Sequence, residues 1–267
     1  MGTVPLFADE KGTVPIQSPF LPSGLPAFRR SGGRKMKTVF TGHFGSGKSE
    51  IAVNLALKES GAGTPAHFID LDIVKPYFRS RMVRNLLLST GVHMIIPSGE
   101  HVYADLPIVM PQIKTILQDP QARVFLDVAG DADGCRVLSS FHEILLAADP
   151  ELMLVVNASR PRTDDVAGNL KMLDEIQAGA RLKVTAIVAN THLMDETTPA
   201  VVEDGFAVAA EFAKQAGLTV KWVVAKKDIA GALVAARFPC PILEIETYIR
   251  PPFGYHPQGL RRSSIIV

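Results

Sequence analysis

The chain has 267 residues, 47% of them hydrophobic and 21% charged, which is enough apolar content for one large core. A formal net charge of +1 removes any whole-chain electrostatic reason to expect nucleic acid or an anionic membrane as a partner. Two distant cysteines, Cys135 and Cys240, argue against a disulfide scaffold and a Cys/His metal centre, and no apolar run reaches the ~20 residues that span a bilayer. The expected setting is a reducing cytoplasm, without stable membrane insertion.

Residues 1–35 differ from the rest. They carry Pro5, Pro15, Pro19, Pro22 and Pro26, a repeated Gly-Thr-Val-Pro at 2–5 and 12–15, and no sustained hydrophobic period. Such a stretch cannot bury enough apolar surface to offset the entropy of ordering it, so a disordered or loosely draped extension is expected. Met36-Lys37-Thr38 leads directly into the first apolar run and is read as the natural start. Gly32-Gly33-Arg34-Lys35 is then a translated ribosome-binding site; a basic arm (Arg29, Arg30, Arg34, Lys35) touching a partner is the competing reading.

The run Thr38-Val39-Phe40-Thr41 opens into Gly42-His43-Phe44-Gly45-Ser46-Gly47-Lys48-Ser49, in which Gly42, Gly47, Lys48 and Ser49 fit G-x-x-x-x-G-K-[ST]. An amphipathic helical pattern follows from Glu50 to Lys58, so the motif has the strand–loop–helix context that its chemistry requires. Glycines let consecutive backbone N–H groups converge on phosphate oxygens, and the helix that starts there adds its positive N-terminal end. Lys48 is expected to reach the β and γ phosphates and Ser49 to ligate Mg²⁺. The nucleotide-contacting set is Gly42, His43, Phe44, Gly45, Ser46, Gly47, Lys48, Ser49 and Glu50.

From Met36 onward short apolar runs alternate with longer helical ones. Strands are predicted over 37–41, 66–70, 92–96, 122–127, 151–157, 182–189, 219–224 and 241–245, and helices over 47–60, 76–88, 105–118, 134–147, 163–178, 198–216 and 228–236. Runs such as Leu152-Met153-Leu154-Val155-Val156 are nearly all apolar, as strands covered on both faces are. The fold class is therefore α/β, three-layered, with a mostly parallel seven- or eight-stranded sheet between helices. Ligands on such sheets bind beyond the carboxyl ends of the strands.

Those ends carry chemistry. Phe68-Ile69-Asp70-Leu71-Asp72 places two carboxylates on one side of the chain, suited to water or Mg²⁺; a helix-capping pair before Pro76 is the bland reading. Val124-Phe125-Leu126-Asp127-Val128-Ala129-Gly130 ends a buried strand in Asp, with a glycine three residues on, as P-loop proteins do where they hold Mg²⁺ and sense the γ-phosphate. Asp131 or Asp133 is expected to cap the next helix. Asn190, after Val188-Ala189, offers an amide edge to adenine, while the guanine-reading Asn-Lys-x-Asp pattern is broken by Leu193, with Asp195 out of step. His192 reads as a loop histidine. Arg79, Arg81 and Arg84 read as a solvated basic face, and His93, His101 and His142 lack metal-ligand spacing.

Taken in order, these motifs over residues 36–250 resemble the MinD/ParA and CobQ/CobB-like (SIMIBI-type) branch of P-loop ATPases, and uncharacterised bacterial ATP-binding members within it. The resemblance implies Mg·ATP binding, slow hydrolysis, and a nucleotide-dependent change in association with an unidentified protein partner, a homodimer being possible. It implies Asp72 as the residue orienting attacking water, with Lys48 as its catalytic companion, and Ser49, Asp70, Asp72 and Asp127 around the metal. One departure is His43, which stands where the MinD/ParA subgroup has a second, trans-acting lysine. The expected function is a Mg-dependent ATPase switch. An ATP-dependent biosynthetic enzyme acting on a small acid is the alternative, without a glutaminase domain, because only a short tail, 251–267, follows the nucleotide-binding part.

Overall fold

The computed structural model describes residues 35–72, 80–95 and 111–249, with side chains in the second stretch from Val83 onward. The expectations for 1–34, for the 73–79 run with Arg79, for Arg81 as a side chain, for His101 and for the tail beyond 249 lie outside the described residues.

The elements in chain order are β1 (Lys37–Thr41), α1 (Lys48–Gly61), β2 (Ala66–Leu71), α2 (Ser80–Ser89), β3 (His93–Ile95), α3 (111–118) and β4 (Arg123–Val128). There follow α4 (Ala132–Cys135), a 3-10 turn (Arg136–Phe141), α5 (His142–Ala148), β5 (Glu151–Val156), α6 (Val166–Ala180) and β6 (Ala186–Ala189). The last are α7 (Pro199–Ala216), β7 (Val220–Lys226), α8 (Lys227–Ala230) and β8 (Ile242–Ile245). Among the described residues all strand pairs are parallel, and the eight strands are ordered β3-β2-β4-β1-β5-β6-β7-β8.

Strand periodicity builds the two faces. Phe40, Phe68, Phe125, Met153 and Val155 point to the layer holding α1 and α2, where they meet Ile51, Leu55, Val83 and Leu87. Their neighbours Val39, Ile69, Leu126, Leu152 and Leu154 point to the opposite layer, against Ile113 of α3, Leu138, Ile176 of α6 and Phe212 of α7. Because both faces are covered, central strands such as β1 and β4 are buried along their whole length, the burial that their unbroken apolar runs predict.

Three predicted elements differ. The 134–147 helix is broken into α4, a 3-10 turn and α5. Ser139 donates its hydroxyl to the Arg136 carbonyl three residues back (2.6 Å), a side-chain bond that tightens the turn. The 228–236 helix stops at Ala230: Gly231 is a poor helix former, and Leu233 and Phe238 turn into the core, where Phe238 meets Phe206 edge-on. The 182–189 strand begins only at Ala186, because Arg181 ends α6 in the left-handed region (φ 55°) and Leu182 and Val184 pack as a buried connection. Among the described residues no helix is long and apolar enough to cross a membrane.

Candidate nucleotide site

β1 lies between β4 and β5, so the loop that follows it emerges at the middle of the sheet's carboxyl edge. Gly42 (φ 149°), Gly45 (φ 78°) and Gly47 (φ 86°) all occupy the region that L-residues avoid, which lets Gly42–Ser49 fold into a tight cradle. Within it Ser46 N donates to the His43 carbonyl (3.0 Å), and α1 closes its first turn with Ile51 N on the Gly47 carbonyl (3.1 Å). Helix geometry then leaves the N–H groups of Lys48, Ser49 and Glu50 without intrahelical acceptors.

The loop is bolted from behind by residues at the ends of β5 and β6. Asn190 Nδ2 donates to the Ser46 carbonyl (2.7 Å), Asn157 Nδ2 to the Gly45 carbonyl (3.2 Å), and Arg160 Nε to the same Gly45 carbonyl (3.4 Å). Pulling carbonyls outward turns the peptide N–H groups inward, the orientation an anion needs. Asn157 also ties in the adjacent segment: Ser159 N and His192 N donate to its Oδ1 (3.0 and 3.3 Å), and its Nδ2 donates to the His192 carbonyl (3.3 Å). Sequence reading missed Asn157 and Arg160; the signal was an amide directly after the apolar run of β5, in the place Asn190 holds after β6.

Lys48 and Ser49 are buried at the start of α1, and the Lys48 ammonium pairs with the Asp72 carboxylate (3.1 Å), both side chains less than a tenth exposed. Asp70 and Asp127 are register partners on β2 and β4, so two buried carboxylates stand side by side at the sheet edge. Asp70 Oδ1 accepts from Asp72 N (3.0 Å). Such neighbouring carboxylates favour a cation between them, and the oxygen-only set of Ser49, Asp70, Asp72 and Asp127 suits Mg²⁺. Among the described residues no group of three or more His, Cys, Asp or Glu side chains is arranged to hold a metal ion by itself. Asp131 caps α4 through Gly134 N (2.7 Å).

The other predicted contacts are placed as follows. His43 is half-buried with its Nδ1 3.2 Å from the Phe44 carbonyl, and Phe44 is 64% exposed at the cradle's rim. Ser46 Oγ is buried and has no hydrogen-bond partner among the described residues. Glu50 turns its carboxylate away from the cradle: Tyr248 N and Ile249 N donate to its two oxygens (2.6 and 3.0 Å), while Asn54 brackets Glu246 from the next turn (2.9 and 2.8 Å). The first turn of α1 thus carries the chain that leaves β8, and the Glu50 carboxylate is committed to it. His192 lies half-buried behind Gly47; desolvation first, then the Arg160 guanidinium, hold its imidazole down at about 4, so it stays neutral. Cys135 is pushed up to about 11 by burial and bonds Ala129 O (3.1 Å), a structural thiol.

Burial also pushes Glu50 up to about 7 against its two backbone donors. A carboxyl whose folded value lies above its unfolded one stabilises fully below pH about 4.5, and that contribution is lost as pH rises towards about 7. We expect the urea-unfolding free energy of wild type to fall between about pH 5 and about pH 8 by on the order of 2–3 kcal/mol more than that of Glu50→Gln. Equal slopes would mean that the group is ionised throughout.

A cavity of about 430 Å³ opens beside the cradle, lined by His43, Phe44, Lys48 and Asp72 together with Arg162, Lys171 and Glu175. Ala129-Gly130-Asp131, the turn after β4, lines it too. A Cβ on Gly130 would overlap the Gly42 carbonyl oxygen and stand 2.8 Å from His43 N, so this turn rests directly on the cradle. Thr41 Oγ1 donates to the Ala129 carbonyl (3.0 Å) and fastens the same contact.

No protein-family model and no curated protein matches the sequence. Solved structures do. Chloroplast FtsY from Physcomitrella patens superposes with a TM-score of 0.50 at 14% identity, over 73% of this chain and 60% of that one. The 54 kDa signal recognition particle protein from Aeropyrum pernix, solved with GDP, gives 0.46 at 17% identity over 71% and 41%. A nucleotide-binding protein from Archaeoglobus fulgidus, solved with ADP, gives 0.39 at 14% over 74% and 84%. The chain spans about three fifths of the length of the FtsY structure. The likeness is one of fold: an α/β P-loop nucleoside triphosphatase architecture with an eight-stranded parallel sheet.

Proposed function

We propose that residues 36–250 form a Mg²⁺-dependent ATP-binding domain that hydrolyses ATP slowly and acts in the cytoplasm as a nucleotide-dependent switch on a protein partner. The observation that carries this reading is the Lys48–Asp72 pair at the mouth of the cradle. A terminal phosphate arriving there competes with Asp72 for the same ammonium. The two states then differ by a defined contact, Lys48 to carboxylate or Lys48 to phosphate, which is what a ligand needs in order to shift a conformational equilibrium. Released from Lys48, the Asp72 carboxylate is the base that orients attacking water. Ser49, Asp70 and Asp127 would hold Mg²⁺, whose chemistry there is to neutralise charge on the phosphate oxygens. The seating of Gly130 on Gly42 supplies a mechanical route from the cradle to the turn after β4.

Support for ATP over GTP comes from the broken guanine-reading pattern: Leu193 stands three residues after Asn190, and Asp195, out of step, pairs with Lys226 (3.3 Å). One N–H of the Asn190 amide is given to Ser46, which leaves its other N–H and its carbonyl oxygen for a base. The alternative, an ATP-dependent enzyme that activates a small acid, draws on the extent of the cavity, which runs from Lys48 as far as Glu175 of α6. Calorimetry with Mg·ATP and Mg·GTP, followed by turnover assays with and without size-fractionated extract, tests both. Stimulation by a macromolecular fraction alone supports the switch; stoichiometric conversion of a small molecule sinks it. Asp72→Ala should keep Mg·ATP affinity within about threefold and slow hydrolysis by about 10²-fold or more, the usual weight of a proton-transfer group.

A further inference from the structure

We propose that Arg162, on the loop joining β5 to α6, is a catalytic cation supplied in cis to the terminal phosphoryl group of the bound nucleotide. The proposal rests on the reading of Gly42–Ser49 as a triphosphate cradle.

Arg162 holds a left-handed backbone (φ 72°), a conformation that costs a non-glycine residue free energy and persists where the surroundings over-determine it. Here they do. The buried Thr163 hydroxyl donates to the Asn157 and Arg160 carbonyls (2.7 and 3.2 Å), and Thr163 N donates to Arg160 O (3.1 Å). Fully buried Asn169 reaches back from α6 to the carbonyls of Thr163 (3.0 Å) and Asp165 (2.6 Å). Gly168 leaves the space for this path, because a Cβ there would overlap the Arg162 carbonyl oxygen. The same loop is fastened to the cradle through Asn157 and Arg160 on the Gly45 carbonyl. It is a rigid bracket, anchored on the phosphate loop, with Arg162 at its strained position.

The bracket presents Arg162 on the wall of the cavity that also holds Lys48 and Asp72. Of the other cations lining the cavity, Lys48 is paired with Asp72 and Lys171 with Glu175 (4.0 Å). Arg162 has no ion pair among the described residues. A triphosphate brings more negative charge than one lysine and one divalent cation neutralise, and a guanidinium matches phosphate oxygens as a planar fork. In the step itself water's oxygen bonds the terminal phosphorus as the bond to the bridging β-oxygen breaks. The diphosphate leaves with that electron pair, and the water proton passes through Asp72 to the released phosphate. Arg162 stays protonated and stabilises the charge that spreads over the equatorial oxygens.

Arg162→Gly isolates the guanidinium, since glycine adopts the same φ without strain. Mg·ADP and Mg·ATP affinities are measured by calorimetry, with and without aluminium fluoride for the diphosphate, beside single-turnover hydrolysis. Arg162→Gly should bind Mg·ADP within about threefold of wild type, lose the tightening that aluminium fluoride confers, and hydrolyse at least about 10²-fold more slowly, below the range known for arginine fingers. Arg162→Lys should recover part of the loss, as should added guanidinium with Arg162→Gly. A wild-type rate together with undiminished tightening in Arg162→Gly overturns the proposal while the cradle stands. Failure of wild type to bind either nucleotide overturns the cradle and this inference with it.

Discussion

Lys48→Ala is expected to abolish nucleotide binding, lowering Mg·ATP affinity at least about 100-fold, or about 2.8 kcal/mol. The lysine stands in the first turn of α1, where the open N–H groups and the helix end already favour an anion, and its ammonium is the one charge the cradle itself supplies. The substitution also strips Asp72 of a cation 3.1 Å away in a buried setting, so the free protein should lose on the order of 3 kcal/mol of stability. The two effects separate in the double variant K48A/D72A: removing both charges should restore much of the stability and none of the binding. Calorimetry and urea unfolding read them independently. Wild-type ATP affinity in Lys48→Ala would overturn the assignment of the site.

Gly130→Ala is the second large effect. The φ of this residue is unremarkable and its constraint is steric: the added methyl would occupy the position of the Gly42 carbonyl oxygen and press on His43 N. Neither neighbour can yield by a side-chain rotation, because both are backbone and Gly42 is itself held against the Val155 carbonyl of β5. The overlap has to be relieved by moving the cradle or the turn after β4. Overpacking of this kind costs about 1–3 kcal/mol, and a cradle displaced by a fraction of an ångström no longer converges its N–H groups on one anion. Stability should fall by that amount and Mg·ATP affinity by about tenfold or more, as unfolding and calorimetry would show. An alanine variant with unchanged affinity would mean that the two loops are not mechanically joined.

The contrast between these two positions shows what kind of information a sequence carries. The place of Lys48 is legible because it is local: four motif residues within eight positions, a strand before and a helix after, put it in the first turn of α1. Asp70 and Asp72 are legible on the same ground, since alternation along β2 puts them on one side. The need for glycine at 130 is not, because the atom it would strike lies 88 residues earlier in the chain, brought there by the pairing of β1 with β4. Asn157 and Arg160 were missed for the same reason: what they do is bond a carbonyl of the cradle across the sheet edge. Asn190 was noticed, but its donor goes to Ser46, a partner that only the adjacency of β1, β5 and β6 supplies.

The helical errors follow a related rule. Periodicity over 134–147 and 228–236 reports which residues are buried, and it does not distinguish a continuous helix from short turns that bury the same side chains. Ser139 bonding back to Arg136, and Leu233 and Phe238 turning into the core after Gly231, decide the matter through contacts that the pattern does not encode.

By itself the sequence determined the fold class, the glycine-rich loop between β1 and α1 and the acidic strand ends, because apolar period and short motifs act through neighbours in the chain. Tertiary structure alone decided the strand order, the Lys48–Asp72 pair, the committed carboxylate of Glu50 and the bracket that carries Arg162. Each of these depends on groups far apart in sequence meeting at a few ångströms, a distance set by the packing of the whole sheet.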